Sequence, residues 1–216
     1  MDFSKIFDIM LKGTIETLYM TLVSTFFAAI LGLLLGVLLY ITSENNICPS
    51  KIFNTILGWI VNIGRSIPFI ILMIVLLPLT YLLVRTQVGP NAAIIPLIIG
   101  SAPFAARLVE SSLSELDFDV VEAIEAMGAT KSQLIFKVMI PEAVPSLVRG
   151  LSITMITIVG YTAMAGVIGA GGLGDIALRY GVHRYEYGMM IATLILIVII
   201  VQIIQVVFNL IVKNID

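Results

Sequence analysis

The charged residues of this 216-residue chain are spaced so that long stretches between them carry no charge. A helix needs about 20 apolar residues to cross the roughly 30 Å hydrocarbon core of a bilayer. Each of five charge-free runs is about that long, so the sequence predicts five membrane-spanning helices. These runs occupy 17–43, 66–84, 86–106, 150–174 and 187–212.

The composition supports a membrane solvent and excludes several functions. Hydrophobic residues make up 59% of the chain and charged residues only 12%, whereas a soluble domain has about 25% charged residues. The net charge of -2 excludes nucleic-acid binding through a basic face. Because Cys48 and His183 are the single cysteine and histidine, we expect no internal disulfide, no metal site and no cofactor.

We therefore expect an all-α integral membrane protein that forms one membrane domain over 1–216. The five spans are placed at about 14–43, 52–84, 86–108, 144–170 and 187–212. An odd number of crossings places the two termini on opposite sides of the membrane.

The second span has two interpretations. Residues 52–64 form either an interfacial helix or the lower half of one long span that is kinked near Pro68. We favour a single crossing over 52–84, because Arg65 costs little near an interface and much at mid-depth.

Before the first span, an apolar stripe at helical spacing predicts a short helix that lies in the membrane interface. The alternative is that these residues simply begin the first span. The stripe consists of Phe3, Ile6, Phe7, Met10 and Leu11.

The segment between the third and fourth spans is the main water-facing region, because eleven charged residues lie within 103–149. Asp117 or Asp119 is suited to cap a first short helix, and Gly128 is a typical helix stop. The pattern predicts a helix–turn–helix over about 113–141, with an ordinary ordered loop as the alternative. The apolar face of the first helix consists of Val120, Ile124 and Met127.

A second helix is indicated directly after this turn. Thr130 followed by Gln133 has the spacing of a capping box. Pro141 marks the end of this helix and the turn into the fourth span.

This region resembles the EAA loop of ABC-importer permeases, which reads E-A-A-x-x-x-G, then nine residues, then I-x-L-P. The chain has EAIEAMG at 122–128 and VMIP at 138–141. Ile124 replaces the second alanine, and two further apolar exchanges replace the isoleucine and the leucine. The string lies between the third and fourth of five spans, where type I importer permeases carry it.

Other segments are similar to the permease subunits of methionine-type importers in particular. They read RSIPFIIL at 65–72, APFAARLVE at 102–110, GYTAMAG at 160–166 and GGLGD at 171–175. The resemblance covers nearly the whole chain, and a five-span subunit of about this length is also typical of that family.

The resemblance implies a set of partners and a location. Two permease copies form the pore, two cytosolic ABC ATPase subunits dock on the EAA loops, and a lipid-anchored binding protein delivers methionine. The location is the bacterial cytoplasmic (inner) membrane. The residues expected to couple the pore to the ATPase are Glu122, Ala123, Glu125, Gly128 and Pro141.

The sequence itself indicates that the chain is not an enzyme and that a partner supplies the energy for transport. It contains no G-x-x-x-x-G-K-[ST] phosphate-binding loop, and its spans lack the internal carboxylates or histidines of a proton or sodium relay. We therefore expect the 107–149 loop to transmit ATPase closure to the third and fourth spans.

Orientation follows from the resemblance more than from charge. If the 107–149 loop is cytosolic, the N-terminus lies outside and the C-terminus in the cytosol. Seven of the 12 basic residues are then on the inner side, which is only a small positive-inside bias.

The fourth span is the expected pore lining, with Tyr161, Thr162 and Met164 as the candidates. Met164 lies among small residues and is suited to plug a narrow constriction, because methionine fills irregular gaps. Ordinary core packing is the alternative for Met164. On the first span, Gly32 and Gly36 form a G-x-x-x-G face that we expect to pack against another helix.

Three functions stay open at the level of sequence. The first is a methionine ABC-importer permease, and the second is the same machine for another small amino acid or polar solute. The third is a non-transport membrane scaffold or channel, which is disfavoured because it has no need of a helix–turn–helix coupling loop.

Overall fold

The computed structural model describes residues 3–44 and 46–215, and every regular element among them is helical. The expected all-α membrane architecture is confirmed. Four helices are long and apolar enough to cross a membrane. They are α1 (Phe3–Ile41), α5 (Pro90–Ser114), α9 (Val144–Gly166) and α11 (Tyr187–Lys213).

The N-terminal helix α1 runs without a break over 39 residues. The prediction of a separate interfacial helix is therefore wrong. The apolar stripe instead lies at the beginning of α1, the first span. No proline interrupts α1, and each of its three glycines, Gly13, Gly32 and Gly36, costs only about 1 kcal/mol, so an established helix continues through them. At about 1.5 Å per residue α1 is about 58 Å long, which exceeds the thickness of the hydrocarbon core.

The second apolar segment is broken rather than kinked. It consists of α2 (Lys51–Ser66), α3 (Phe69–Val75) and α4 (Leu77–Val84), and α2 and α3 meet at 101°. Ile67, which precedes Pro68, is extended, as expected for a residue before proline. The break lies near Pro68, as the sequence indicates, and the single crossing over 52–84 stays a prediction, because the bent pair can count as one span. By length and apolar composition, the described residues thus contain four candidate spans, or five if the bent pair counts as one.

The packing of α1 against α5 depends on the two glycines of the G-x-x-x-G face. A Cβ added at Gly32 would lie 2.5 Å from the Cβ of Ala105, and one added at Gly36 would lie 2.5 Å from the carbonyl oxygen of Ala106. Only glycine allows the helices to approach to this distance. The expected packing role of this face is confirmed.

The first span also holds the short helix α10 (Gly172–Ile176) in place. The Glu16 carboxylate accepts a hydrogen bond from the backbone N–H of Gly172 at 2.8 Å, and the Thr17 hydroxyl accepts one from Leu173 N–H at 2.9 Å. These side chains satisfy backbone donors that a helix start leaves unpaired. Residues 156 positions apart in sequence are thereby joined.

Candidate coupling surface and pore

A helix–turn–helix connects α5 to α9, and its first helix is α6 (Phe118–Ala126). Asp117 caps this helix, with its carboxylate accepting the backbone N–H of Asp119 at 3.1 Å. The chain then reverses at Gly128, whose φ of +90° lies in the left-handed region that favours glycine. The predicted cap and the predicted stop are both present.

The second helix opens with the expected capping box. Thr130 N–H donates to the Gln133 side-chain oxygen at 2.9 Å, and Gln133 N–H donates to the Thr130 hydroxyl at 3.4 Å. This second helical segment ends at Glu142, one residue after Pro141. A single turn residue, Ala143, then separates it from α9. Its parts are α7 (Lys131–Gln133), a π-helical stretch (Leu134–Met139) and α8 (Ile140–Glu142).

The helix–turn–helix is fastened to the membrane helices by a buried cluster. Val121, Leu134 and Met139 from the two short helices belong to it, together with Tyr40 at the end of α1 and Leu113 at the end of α5. The two short helices therefore share one close-packed cluster with the ends of α1 and α5.

The outer face of the helix–turn–helix is open to solvent. All five predicted coupling residues are exposed, and the first four lie together on α6 and its turn, whereas the fifth lies near the start of α9. They are Glu122, Ala123, Glu125, Gly128 and Pro141.

Two large apolar side chains stand out on this face. Met127 is 78% exposed and Phe136 is 67% exposed. The predicted apolar face of the first helix does not extend to Met127, because this residue follows the last residue of α6, where the chain reverses. Ile124 is half-buried as expected, and the side chain of Val120 lies outside the described residues. Exposed apolar side chains beside charged ones are typical of protein–protein contact sites.

A polar network that the sequence analysis missed joins α2 to α5. The Arg107 guanidinium donates to the Glu110 carboxylate at 2.6 Å and to the Asn62 side-chain oxygen at 2.9 Å. An arginine in an apolar run with a glutamate three residues later was the available signal. No group of three metal-ligating side chains converges in the part of the chain that the structure describes.

One face of α9 is left open along its length, and we call it the α9 stripe. Met164 is 43% exposed, and no atom lies within 4 Å of a Cβ added at Gly160. At spacings of three, four and seven residues these positions share one side of the helix. The α9 stripe consists of Ile153, Gly160, Met164 and Val167.

The other two pore candidates occupy different surroundings. Tyr161 is half-buried beside the α9 stripe, and its ring stacks on that of Phe69 in α3, with centroids 4.3 Å apart and planes 1° apart. Thr162 is 1% exposed, and its hydroxyl donates to the carbonyl oxygen of Val159 at 2.7 Å. The structure thus brings Tyr161 and Met164 to the open side of α9 and turns Thr162 inward.

An all-helical membrane chain with this exposed, buttressed helix–turn–helix and this open span has the construction of a transport permease. The chain belongs to the family of binding-protein-dependent transport system inner membrane components, whose model matches residues 32–216.

Relatives within this family are similar to the chain over nearly its whole length. The probable D-methionine transport system permease protein MetI of Vibrio cholerae is 46% identical over 97% of this chain and 93% of the relative. The methionine import system permease protein MetP of Bacillus subtilis is 49% identical over 95% and 92%. Among solved structures, an inward-facing MetNI methionine ABC transporter contains a chain with 46% identity and a TM-score of 0.96, over 100% of both chains.

Proposed function

We propose that this chain is the membrane-spanning subunit of an ATP-driven importer of methionine, and that two copies form the translocation path. The observation that carries the proposal is the likeness to a chain of the MetNI methionine ABC transporter over the full length of both. The curated relatives named for methionine transport support the same substrate.

The exposed surface of α6 and its turn receives a partner ATPase subunit. Acidic Glu122 and Glu125 and apolar Met127 are all exposed on this surface. The carboxylates offer charge that orients the partner, and Met127 offers apolar area that adds affinity. ATP-driven movement of the partner reaches α1 and α5 through the buried cluster below. The permease itself hydrolyses nothing, and each of its two copies binds one of two ATPase subunits.

The coupling surface defines the orientation in the bacterial cytoplasmic membrane. It faces the cytosol together with the C-terminus, while the N-terminus and the α10 region lie outside. A lipid-anchored binding protein delivers methionine to that outer side.

The α9 stripe faces the path between the two copies, and Met164 narrows it. Gly160 leaves room one turn away, so a flexible thioether side chain has space to swing aside without moving the helix. Tyr161 borders the same path through its exposed edge.

Reconstitution tests this function directly. The permease, its partner ATPase and the binding protein are assembled in proteoliposomes, and ATP-dependent uptake of labelled methionine is compared with that of other labelled amino acids. We expect methionine to be carried fastest and uptake to require all three components. Faster uptake of another solute would establish the alternative substrate, and ATP hydrolysis by the isolated permease at the rate of the complex would contradict the division of labour.

A further inference from the structure

We propose that the cleft at the break between α2 and α3 is a binding station on the import path, where Arg65 receives the carboxylate of an α-amino acid and aromatic rings receive its thioether side chain. This inference rests on the proposed function, because it names where the substrate of that importer pauses inside the permease.

The cleft lies between the α2–α3 corner and α5, and has a volume of about 120 Å³. At about 30 Å³ per water molecule, that is room for the carboxylate and amino end of an amino acid, while the side chain extends along the wall. The wall residues that matter here are Arg65, Phe69, Phe104 and Tyr161.

Two glycines allow the corner to sit this close to α5. A Cβ added at Gly64 would lie 2.8 Å from Pro103 Cγ, and one added at Gly100 would lie 3.1 Å from the Phe69 ring. Both contacts are tighter than ordinary packing allows. Larger residues at these positions would either push α2 and α3 away from α5 or fill the cleft.

Arg65 is exposed at the α2–α3 corner. No hydrogen bond or ion pair joins its guanidinium to any residue in 3–44 or 46–215, and it lies over the Phe104 ring, 6.0 Å from the ring centroid. Arg107, in contrast, is bonded to both Glu110 and Asn62. An exposed arginine without a counter-charge is available to an incoming anion, and its planar guanidinium matches a carboxylate in a bidentate pair.

The residues lining the cleft include no acidic side chain, so recognition runs through the carboxylate of the ligand rather than through its ammonium group. The half-buried ring of Tyr161, held by stacking on the buried ring of Phe69, offers the apolar, polarizable surface that thioether sulfur prefers. Tyr161 also follows Gly160 of the α9 stripe, which connects the cleft to the path between the two copies.

Direct binding tests the station. The permease–ATPase complex is placed in nanodiscs of zwitterionic lipid, and binding of radiolabelled methionine is measured without the binding protein. Because a charge-assisted contact is lost, Arg65→Gln should weaken methionine binding at the station roughly tenfold or more. Arg65→Lys keeps the positive charge and should weaken this binding less. The exposed cation variant Lys213→Gln is the matched control and should bind like the wild type.

Competition with methioninamide, which lacks the carboxylate, separates recognition from structural damage. In the wild type methioninamide should compete at least about tenfold less well than methionine, and this difference should nearly vanish in Arg65→Gln. Any methionine site on the ATPase is common to all variants and cancels in the comparison.

Several results would overturn the station. Equal methionine binding by the wild type and Arg65→Gln is one, and unchanged discrimination against methioninamide is another. An Arg65 effect that appears only when phosphatidylglycerol is present would assign the cation to a lipid phosphate instead. If the wild type transports methionine in proteoliposomes while these results hold, only the station fails, whereas absence of methionine uptake would reject the proposed function itself.

Discussion

Gly36 of α1 and Gly160 of α9 occupy opposite environments. At Gly36 an added Cβ would lie 2.5 Å from the carbonyl oxygen of Ala106, whereas at Gly160 nothing lies within 4 Å. The first glycine fixes two helices in backbone contact, and the second leaves a face of α9 open within the chain. The comparison separates a closely packed part of the permease from the face that we propose lines the translocation path.

The largest effect is expected from a substitution at Gly36, where the two helices are in backbone contact. Gly36→Val should prevent stable assembly of the permease, because the added carbons overlap α5 and overpacking of a tight site typically costs about 1–3 kcal/mol or more. Fluorescence-detected size-exclusion chromatography and thermal unfolding measure this effect. Gly160→Val is the matched control and should fold normally, so equal damage in both variants would contradict the contrast.

A third glycine sharpens the comparison, because Gly128 has open space around it but a φ of +90°. Gly128→Asp costs roughly 1 kcal/mol or more in backbone strain and places a charge in the ATPase contact. We expect normal abundance in the membrane with loss of ATPase retention and of uptake. Glu122→Ala should act in the same direction more mildly, because it removes one exposed polar contact.

Co-purification of the ATPase with each variant, alongside uptake of labelled methionine, provides the measurement. Normal retention and uptake by Gly128→Asp would show that the turn is an ordinary cytosolic loop.

On the open side of the comparison, Met164 is the side chain to remove. Met164→Ala should leave assembly intact but widen the constriction of the translocation path. We therefore expect the vesicles to leak methionine, or ATP turnover to rise in the absence of the binding protein. Efflux from preloaded proteoliposomes and basal ATP hydrolysis measure these effects. Wild-type tightness and coupling would return Met164 to ordinary packing.

The smallest effect is expected at Thr162, on the buried side of the same helix. Its hydroxyl bonds to a carbonyl of its own helix, so Thr162→Val should lower stability by about 1 kcal/mol or less. Methionine uptake should stay close to that of the wild type. A large loss of uptake at unchanged stability would place the hydroxyl in the translocation path after all.

The helices and caps followed from local patterns, and the predictions therefore succeeded where the physics is local. Charge-free runs located the long helices, and the spacing of Thr130 and Gln133 identified a capping box that is present. Pro68 indicated a break, because the restriction on the preceding residue acts within one peptide unit.

The features that escaped prediction depend on neighbours distant in sequence. The 101° angle at the break is set by how α2 and α3 pack on α5, and no local pattern encodes it. The exposure of Met127 and the inward position of Thr162 depend in the same way on which helix covers which face. The segments that form the candidate site were therefore predictable from the sequence. Which side of each helix faces the site was not predictable.

The hydrogen bonds that Glu16 and Thr17 accept from α10 also impose an order on biosynthesis. The donors at Gly172 and Leu173 are translated 156 residues later, which at about 5–20 residues per second means roughly 8 to 30 s after the acceptors leave the ribosome. Until then the carboxylate of Glu16 and the hydroxyl of Thr17 lack the backbone donors that they have in the folded protein. The first helix to be synthesised is thus among the last to complete its hydrogen bonds.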